Sequence, residues 1–337
     1  MKRASREPDF DRRCTPVTAH AFMRTRHGNA GRDSARLVRA CLGGVAGATA
    51  STPRWISFAL ASRTGAHLYV AHPDGTSMRR LENRSGDKQD PDWSPDGRRV
   101  AVRWLPHGDY SYTPILILDL ERKTTFNLSK RTGIAGFAPS WSPDGRRLAL
   151  AGKRRGAGRE RLYVMKADGT EVRVLSPAGT EVQYPAWSPD GRRIAFVAVV
   201  NGGFDIYAVD ADGRHLARLT SGGGYEQWPM WSPDSQSIAY GVENDSRGRS
   251  GIWLMRADGS HRRFLTGRLG VPGSWEPGSL IVAQCFGRTR AHVGVCALDP
   301  HKRRIRRLLG SADAGFPAWV PPRRGARLRQ GLVAPAS

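Results

Sequence analysis

Residues that could carry out chemistry are few in this sequence and form no catalytic pattern. A serine hydrolase needs a Gly-x-Ser-x-Gly turn, and the nearest approach is Gly248-Arg249-Ser250-Gly251. A metal-dependent lyase needs clustered histidine and carboxylate ligands, and His67, His107 and His292 could reach one common face. We favour ordinary surface histidines, so the sequence predicts no catalytic residue, no metal site and no cofactor.

Four cysteines are present: Cys14, Cys41, Cys285 and Cys296. No Cys-x-x-Cys pair occurs, which excludes the common zinc and redox motifs. Cys285 and Cys296 fall on two segments that we interpret below as neighbouring strands. A disulfide there requires export to an oxidising compartment. Two small buried thiols are the favoured interpretation, and the pairing stays open.

The formal net charge is +23, and only seven of the 53 basic residues are lysines. Such a skew towards arginine is typical of a GC-rich genome, so the charge alone does not indicate a ligand. The alternative is an anionic partner, either nucleic acid, an acidic polymer or a lipid surface. Nucleic acid is the less favoured of these partners.

One phrase recurs along the chain and predicts the elements that hold these residues. It reads DPDWSPDGRRVAV at 90–102 and returns at 138–150, 184–196 and 228–240, with weaker copies at 271–283 and 316–324. Its tryptophans are 48, 46, 44, 44 and 44 residues apart, which indicates a repeat architecture. We expect these tryptophans to be structural anchors between repeats: Trp93, Trp141, Trp187, Trp231, Trp275 and Trp319.

Each repeat has the pattern of four short strands, A to D. Ser-Pro-Asp-Gly turns follow strand A, and Asp-Gly turns follow four of the C strands. We interpret the aspartates as turn formers and the arginine pairs 98–99, 146–147 and 192–193 as a solvated face. The fold class predicted is therefore all-β: a six-bladed β-propeller with four antiparallel strands per blade.

The ends of the repeat array predict how the propeller closes. No repeat-type A strand precedes the first B strand near Ile56, and the last A strand near Trp319 lacks B, C and D partners. We expect the C-terminal A strand to join the N-terminal blade, because closure removes exposed sheet edges. The predicted organisation is a basic extension or export signal at 1–52, the propeller at 53–321 and a basic tail at 322–337.

The string Pro-x-Trp-Ser-Pro-Asp-Gly followed by Ala-Asp-Gly resembles the repeat of the TolB-like propeller family over residues 55–320. The resemblance implies a propeller that binds partner proteins in the periplasm and has no enzymatic activity. Related propellers precede peptidase domains or act as oligosaccharide lyases. Two departures stand out: Ser235 replaces a turn glycine, and only about 50 residues precede the first strand, where TolB has an extra domain.

The predicted binding surface is the loop-bearing face, which we define as the face carrying the B–C loops and the D–A connections. These connections vary in length and chemistry, whereas the opposite face repeats the same turns. Residues that precede the strand-A prolines should ring the central channel there, as a partner anchor or merely as its plug. The candidate partner-binding residues are Asp90, Tyr184, Tyr225, Glu226, Gln227, Trp228, Lys153, Arg154 and Arg155.

These observations predict a monomeric, non-enzymatic protein- or peptide-binding propeller. The alternatives are a carbohydrate-active or small-ligand propeller of the lyase type and a binder of an anionic polymer. Ala48-Thr49-Ala50 has the small-x-small pattern of a signal-peptidase site, which favours a periplasmic or secreted protein. A cytoplasmic protein with a disordered extension stays open, and no segment is long and apolar enough to cross a membrane.

Overall fold

The computed structural model describes residues 55–62, 65–106, 113–222, 224–267, 269–276, 280–286, 293–309 and 314–321. Within these residues the chain forms 24 β-strands and one short helix. The predicted end segments 1–52 and 322–337 lie outside the described residues, as do Cys14, Cys41, His107 and His292. The fold is all-β and propeller-like, in agreement with the repeat.

The strands run in five hydrogen-bonded sheets, one of which has eight strands in two halves. Sheet I contains β1 (Trp55–Ser62), β2 (Gly65–Ala71), β3 (Arg79–Arg80) and the last strand, β24 (Ala314–Val320). Sheet II contains β4 (Asp87–Trp93), β5 (Arg99–Leu105), β6 (Ile115–Asp119) and β7 (Thr124–Asn127). Sheet III contains β8 (Ile134–Trp141), β9 (Arg147–Arg154), β10 (Arg161–Lys166) and β11 (Arg173–Val174).

The remaining strands continue the same order. Sheet IV contains β12 (Glu181–Trp187), β13 (Arg193–Val200), β14 (Gly203–Asp210) and β15 (Ala217–Arg218). Sheet V contains β16 (Tyr225–Trp231), β17 (Ser237–Glu243), β18 (Gly251–Arg256) and β19 (Arg263–Thr266). A single parallel bridge between Phe204 and Tyr225 makes these two halves one eight-stranded sheet. Sheet VI contains β20 (Leu269–Trp275), β21 (Ile281–Phe286), β22 (Val293–Asp299) and β23 (Arg304–Leu309).

The two ends of the repeat array meet in sheet I. Strand β24 pairs antiparallel with β1, and Ile56 lies opposite Trp319. The Ser57 hydroxyl also donates a hydrogen bond to the Ala318 carbonyl at 3.4 Å. The pairing expected between these two segments is therefore present.

Apolar clusters fill the spaces between consecutive sheets, and the repeat tryptophans contribute to all of them. Trp93, for example, packs with Leu68 of sheet I and Val100 of sheet II. The other clusters join sheets II and III, III and IV, IV and V, and V and VI in the same way. The last cluster places Trp319 and Ile56 of sheet I against Val282 of sheet VI.

The Ser-Pro-Asp-Gly turns are held by one repeated hydrogen-bond pattern. In the first copy the Ser94 hydroxyl donates to the Asp96 carboxylate at 2.6 Å, and Arg99 N donates to that hydroxyl at 2.9 Å. The same hydroxyl–carboxylate contact recurs in the other three copies. In the fourth copy Ser235 takes the glycine position with φ of 60°, and its hydroxyl accepts from Asp190 N at 3.1 Å.

Two arginines beside these turns are not simply solvated, which corrects the expectation for the arginine pairs. The Arg99 guanidinium lies 4.4 Å from the ring centre of Trp141 in the next sheet and donates to the Gly145 carbonyl. Arg193 stands in the same relation to Trp231, at 4.8 Å. Some of the excess arginines therefore join neighbouring sheets through cation–π contacts and hydrogen bonds.

Cys285 and Cys296 form a disulfide between β21 and β22. Their Cα atoms are 5.7 Å apart, which is within the distance that a disulfide spans. The favoured expectation of two unbonded thiols is therefore wrong. Neighbouring antiparallel strands bring the two side chains together on one buried face.

Candidate functional site

The residue before each of four strand-A prolines has a left-handed backbone. The φ angles are 50° for Asp90 and 48° for Ala138, Tyr184 and Trp228. At each of these positions the pairing of strand A with strand B shifts its register, as a β-bulge does. A positive φ is unfavourable for bulky side chains, so the surrounding sheet must hold Tyr184 and Trp228 in this conformation.

The bulges bring three aromatic rings into a continuous row across sheets III, IV and V. The ring centres of Phe137 and Tyr184 are 5.6 Å apart, and those of Tyr184 and Trp228 are 4.8 Å apart. All three side chains are half-buried. We call Phe137, Tyr184 and Trp228 the aromatic row. It offers an apolar surface that remains partly open to solvent.

An ion pair adjoins the aromatic row. Asp90 Oδ2 accepts a hydrogen bond from Ala138 N at 3.2 Å and lies 3.5 Å from Arg103 Nε. Arg103 also donates to the Gln89 side chain, and its guanidinium lies 5.8 Å from the ring centre of Phe137. Asp90 therefore links two neighbouring bulges, and the positive charge of Arg103 compensates its negative charge.

The hydroxyl of Tyr184 stays protonated over the whole physiological range. Burial raises the pKa of Tyr184, and the negative charges of Asp90 and Glu243 raise it further. The positive charge of Arg103 opposes this effect without overcoming it. The aromatic row thus presents a neutral phenol.

The segment from Tyr225 to Gln227 is divided between the surface and the interior. Tyr225 is 44% exposed, and its ring centre lies 4.9 Å from that of Phe204. Glu226 is buried and accepts a hydrogen bond from the Thr220 hydroxyl. Burial raises the pKa of Glu226 to about 7. Tyr225 and the half-buried Gln227 remain candidate contacts, whereas Glu226 points inward.

A cavity of about 400 Å³ lies beside Tyr225, between the β13–β14 turn and the start of β16. Asn201, Phe204, Asp205 and Arg218 contribute to its lining. Asp205 is buried and accepts a hydrogen bond from Arg218 Nη2 at 2.7 Å. The cavity therefore combines aromatic rings with a paired acid and base.

The basic residues at the end of β9 and in the loop that follows it are only partly available to a partner. The Lys153 ammonium pairs with Glu160 at 2.8 Å. Arg154 donates to the Thr132 carbonyl at 3.2 Å, while Arg155 is exposed. The loop therefore presents less positive charge than its sequence suggests.

Of the three candidate metal ligands, only His67 is described, and it is fully buried. It contacts Arg80 Nη2 at 2.7 Å and Glu82 at 3.4 Å. Burial first, and then the nearby Arg80, lowers the pKa of His67. Within the described part of the chain, no three His, Cys, Asp or Glu side chains are grouped as metal ligands.

Comparison with known proteins agrees with this fold. The TolB beta propeller domain family matches residues 54–323. TolB from Acinetobacter baumannii superposes with a TM-score of 0.67 at 21% identity, covering 80% of this chain and 67% of that one. A chain of the nidogen/laminin complex superposes with a TM-score of 0.62 at 14% identity, covering 79% and 98%.

The same fold occurs in an enzyme. Oligogalacturonate lyase from Vibrio parahaemolyticus superposes with a TM-score of 0.53 at 14% identity, covering 75% of this chain and 74% of that one. A comparison with curated proteins gives no match. The family match covers most of the sequence and includes every described strand. The chain belongs to the TolB beta propeller domain family.

Proposed function

We propose that the chain is a non-enzymatic, monomeric propeller of six blades that binds a protein or peptide on its loop-bearing face. Sheets I to VI would be the blades, and the β1–β24 pairing would close the ring. Six interfacial clusters support this arrangement, because the last of them packs sheet VI against sheet I. A closed ring leaves the central channel lined by the strand-A bulges.

The observation that carries the binding proposal is the aromatic row. Tyr184 and Trp228 are kept half-exposed at strained backbone positions, 4.8 Å apart. Aromatic side chains on a rigid scaffold give much of the binding energy at protein interfaces, since little conformational entropy is lost when a partner covers them. Asp90 and Gln227 add polar atoms beside the row.

The proposal is tested by Trp228→Ala in a pull-down from an envelope extract of the native host. We expect a specific partner that wild type retains and Trp228→Ala loses. Phe126→Ala is the matched control, because Phe126 is a 38% exposed aromatic on β7. Circular dichroism checks that both variants are folded. A partner held equally by Trp228→Ala and wild type would rule out the aromatic row as the site.

We further propose that the protein works in the periplasm or is secreted. The Cys285–Cys296 disulfide supports this proposal, because such bonds persist in oxidising compartments. N-terminal sequencing of the native protein should give a start at Ser51. A start at Met1 or Met23 would contradict export through this site.

Within the residues described, no helix has the length and apolar character needed to span a bilayer.

A small-ligand function, such as carbohydrate binding, is the second candidate. The cavity beside Tyr225 favours it, because the exposed ring of Tyr225 and the Asp205–Arg218 pair would hold a sugar ring. Binding there would persist in Trp228→Ala, which separates the two candidates.

A further inference from the structure

The outermost strand of sheet VI differs from its counterparts in length. Strand β23 has six residues, whereas β7 and β19 have four and β3, β11 and β15 have two. It stands at the end of its sheet, and among the described residues no strand pairs with its outer side. Proteins usually keep such edges short, because an open edge can pair with another chain.

The charge of this edge is also unusual. The segment 302–309 reads KRRIRRLL, with five basic residues and no acidic one. The arginines of β23 are exposed: Arg304, Arg306 and Arg307. Strand β7, by contrast, carries no charged residue. The nearest acid in the sequence is Asp299, whose carboxylate already accepts from His301 N and Lys302 N at 2.9 Å.

The strand is firmly held on its inner side. It pairs with β22 from Arg304–Asp299 to Leu309–Val295. Ile305 packs against the cluster between sheets V and VI, and Leu309 packs against the cluster between sheets VI and I. The Arg303 guanidinium donates to the Leu265 carbonyl of sheet V at 3.1 Å. The outer edge of β23 is therefore held in a fixed position in which another strand can pair with it.

We propose that β23 binds an extended acidic peptide as an additional strand. The peptide backbone would pair with the outer side of β23, and its carboxylates would accept hydrogen bonds from Arg304 and Arg306. Nucleic acid fits less well, because it cannot pair with a strand edge. The chain's own end segments also fit poorly. Residues 1–54 contain eleven basic and four acidic residues, and 322–337 contain four basic and none acidic.

The test uses a labelled synthetic peptide of alternating glutamate and valine, with binding followed by fluorescence anisotropy. A second peptide has the same sequence with every other amide N-methylated, which keeps the charge but blocks strand pairing. We expect the first peptide to bind with a Kd below about 100 μM and the methylated peptide to bind at least about tenfold more weakly.

Two protein variants locate the site. Arg304→Gln/Arg306→Gln should weaken binding of the first peptide about tenfold. The control Arg98→Gln/Arg122→Gln removes two exposed charges from the β4–β5 and β6–β7 turns of sheet II and should leave binding unchanged. Equal binding of both peptides, no effect of the β23 variant, or tighter binding of duplex DNA than of the peptide would each overturn the proposal. Trp228→Ala should have no effect here, so this test is independent of the proposed function.

Discussion

Several non-glycine residues in this protein have a left-handed backbone, which is unfavourable in an unfolded chain. Left-handed backbone at a non-glycine residue costs about 1–3 kcal/mol. Asp90, Ala138, Tyr184 and Trp228 all adopt it immediately before a proline. The carboxylate of Asp90 ties its own bulge to that of Ala138. This strain is maintained by sheet packing, and it holds Tyr184 and Trp228 in the aromatic row.

Asp92 should make stability fall as the pH rises. Its Oδ2 atom accepts from Trp141 N at 2.6 Å, and burial raises its pKa from 3.8 to about 7. The folded state therefore favours the protonated form. The stabilising contribution is complete below about pH 4 and disappears as the pH rises through about 7. Asp92→Asn keeps an acceptor oxygen but does not bury a negative charge at high pH.

Thermal unfolding of wild type and Asp92→Asn measures the effect. The Tm of the variant relative to wild type should rise between about pH 5 and about pH 8. Asp168→Asn serves as a control of opposite sign. Hydrogen bonds from Thr170 lower the pKa of Asp168. The Tm of Asp168→Asn relative to wild type should therefore not rise at high pH. A Tm difference for Asp92→Asn that is independent of pH would contradict the assigned role.

The sequence identified part of the candidate site. Tyr184 and Trp228 were predicted, because they precede the strand-A prolines, but their positive φ was not, since residues before proline are usually extended. Arg103 and Phe137 were missed, because nothing local distinguishes them from other strand residues. Glu226 was expected at the surface. The equivalent position of the preceding repeat is the apolar Val182, a signal that would have placed Glu226 inside.

At the scale of elements, the turns contribute more to the free energy of unfolding than their length suggests. The Ser188 hydroxyl is fully buried, donates to Asp190 at 2.6 Å and accepts from Arg193 N at 2.9 Å. Ser188→Ala leaves that amide without a partner, so it should lower the free energy of unfolding by about 1–3 kcal/mol. Urea denaturation gives the value, with the exposed Ser221→Ala as control. Equal losses in the two variants would show that the turn hydroxyl is dispensable.

Strand positions followed from the repeat, whereas smaller elements did not. The helix Leu128–Thr132 lies between β7 and β8 and was not predicted. Asn127 caps its start, accepting from Lys130 N at 2.8 Å, and Gly133 ends it with φ of 72°. These cap residues were visible in the sequence. Between two predicted strands, so short a segment is equally compatible with a simple connection.

At the scale of the whole molecule, the repeat predicted the fold because one four-stranded unit cannot bury both of its faces. Each tryptophan needs the preceding sheet to cover it, which makes the units depend on their neighbours. The same residues recur in every unit and therefore specify packing. The candidate partner contacts lie at positions that change from one unit to the next, such as Asp90, Tyr184 and Trp228. The repeat consequently says little about the partner.

The central claim is that the two ends of the array close one rigid ring. Thermal unfolding of a chain truncated after residue 313, which lacks β24, tests it against a chain truncated after residue 321. Removing β24 exposes the edge of β1 and takes Trp319 out of the cluster between sheets VI and I. We expect the longer chain to unfold like wild type. The shorter chain should lose cooperative unfolding or have a Tm lower by at least about 10 °C, since loss of a buried tryptophan alone costs about 3–5 kcal/mol. Equal Tm values for the two truncated chains would contradict closure by β1 and β24.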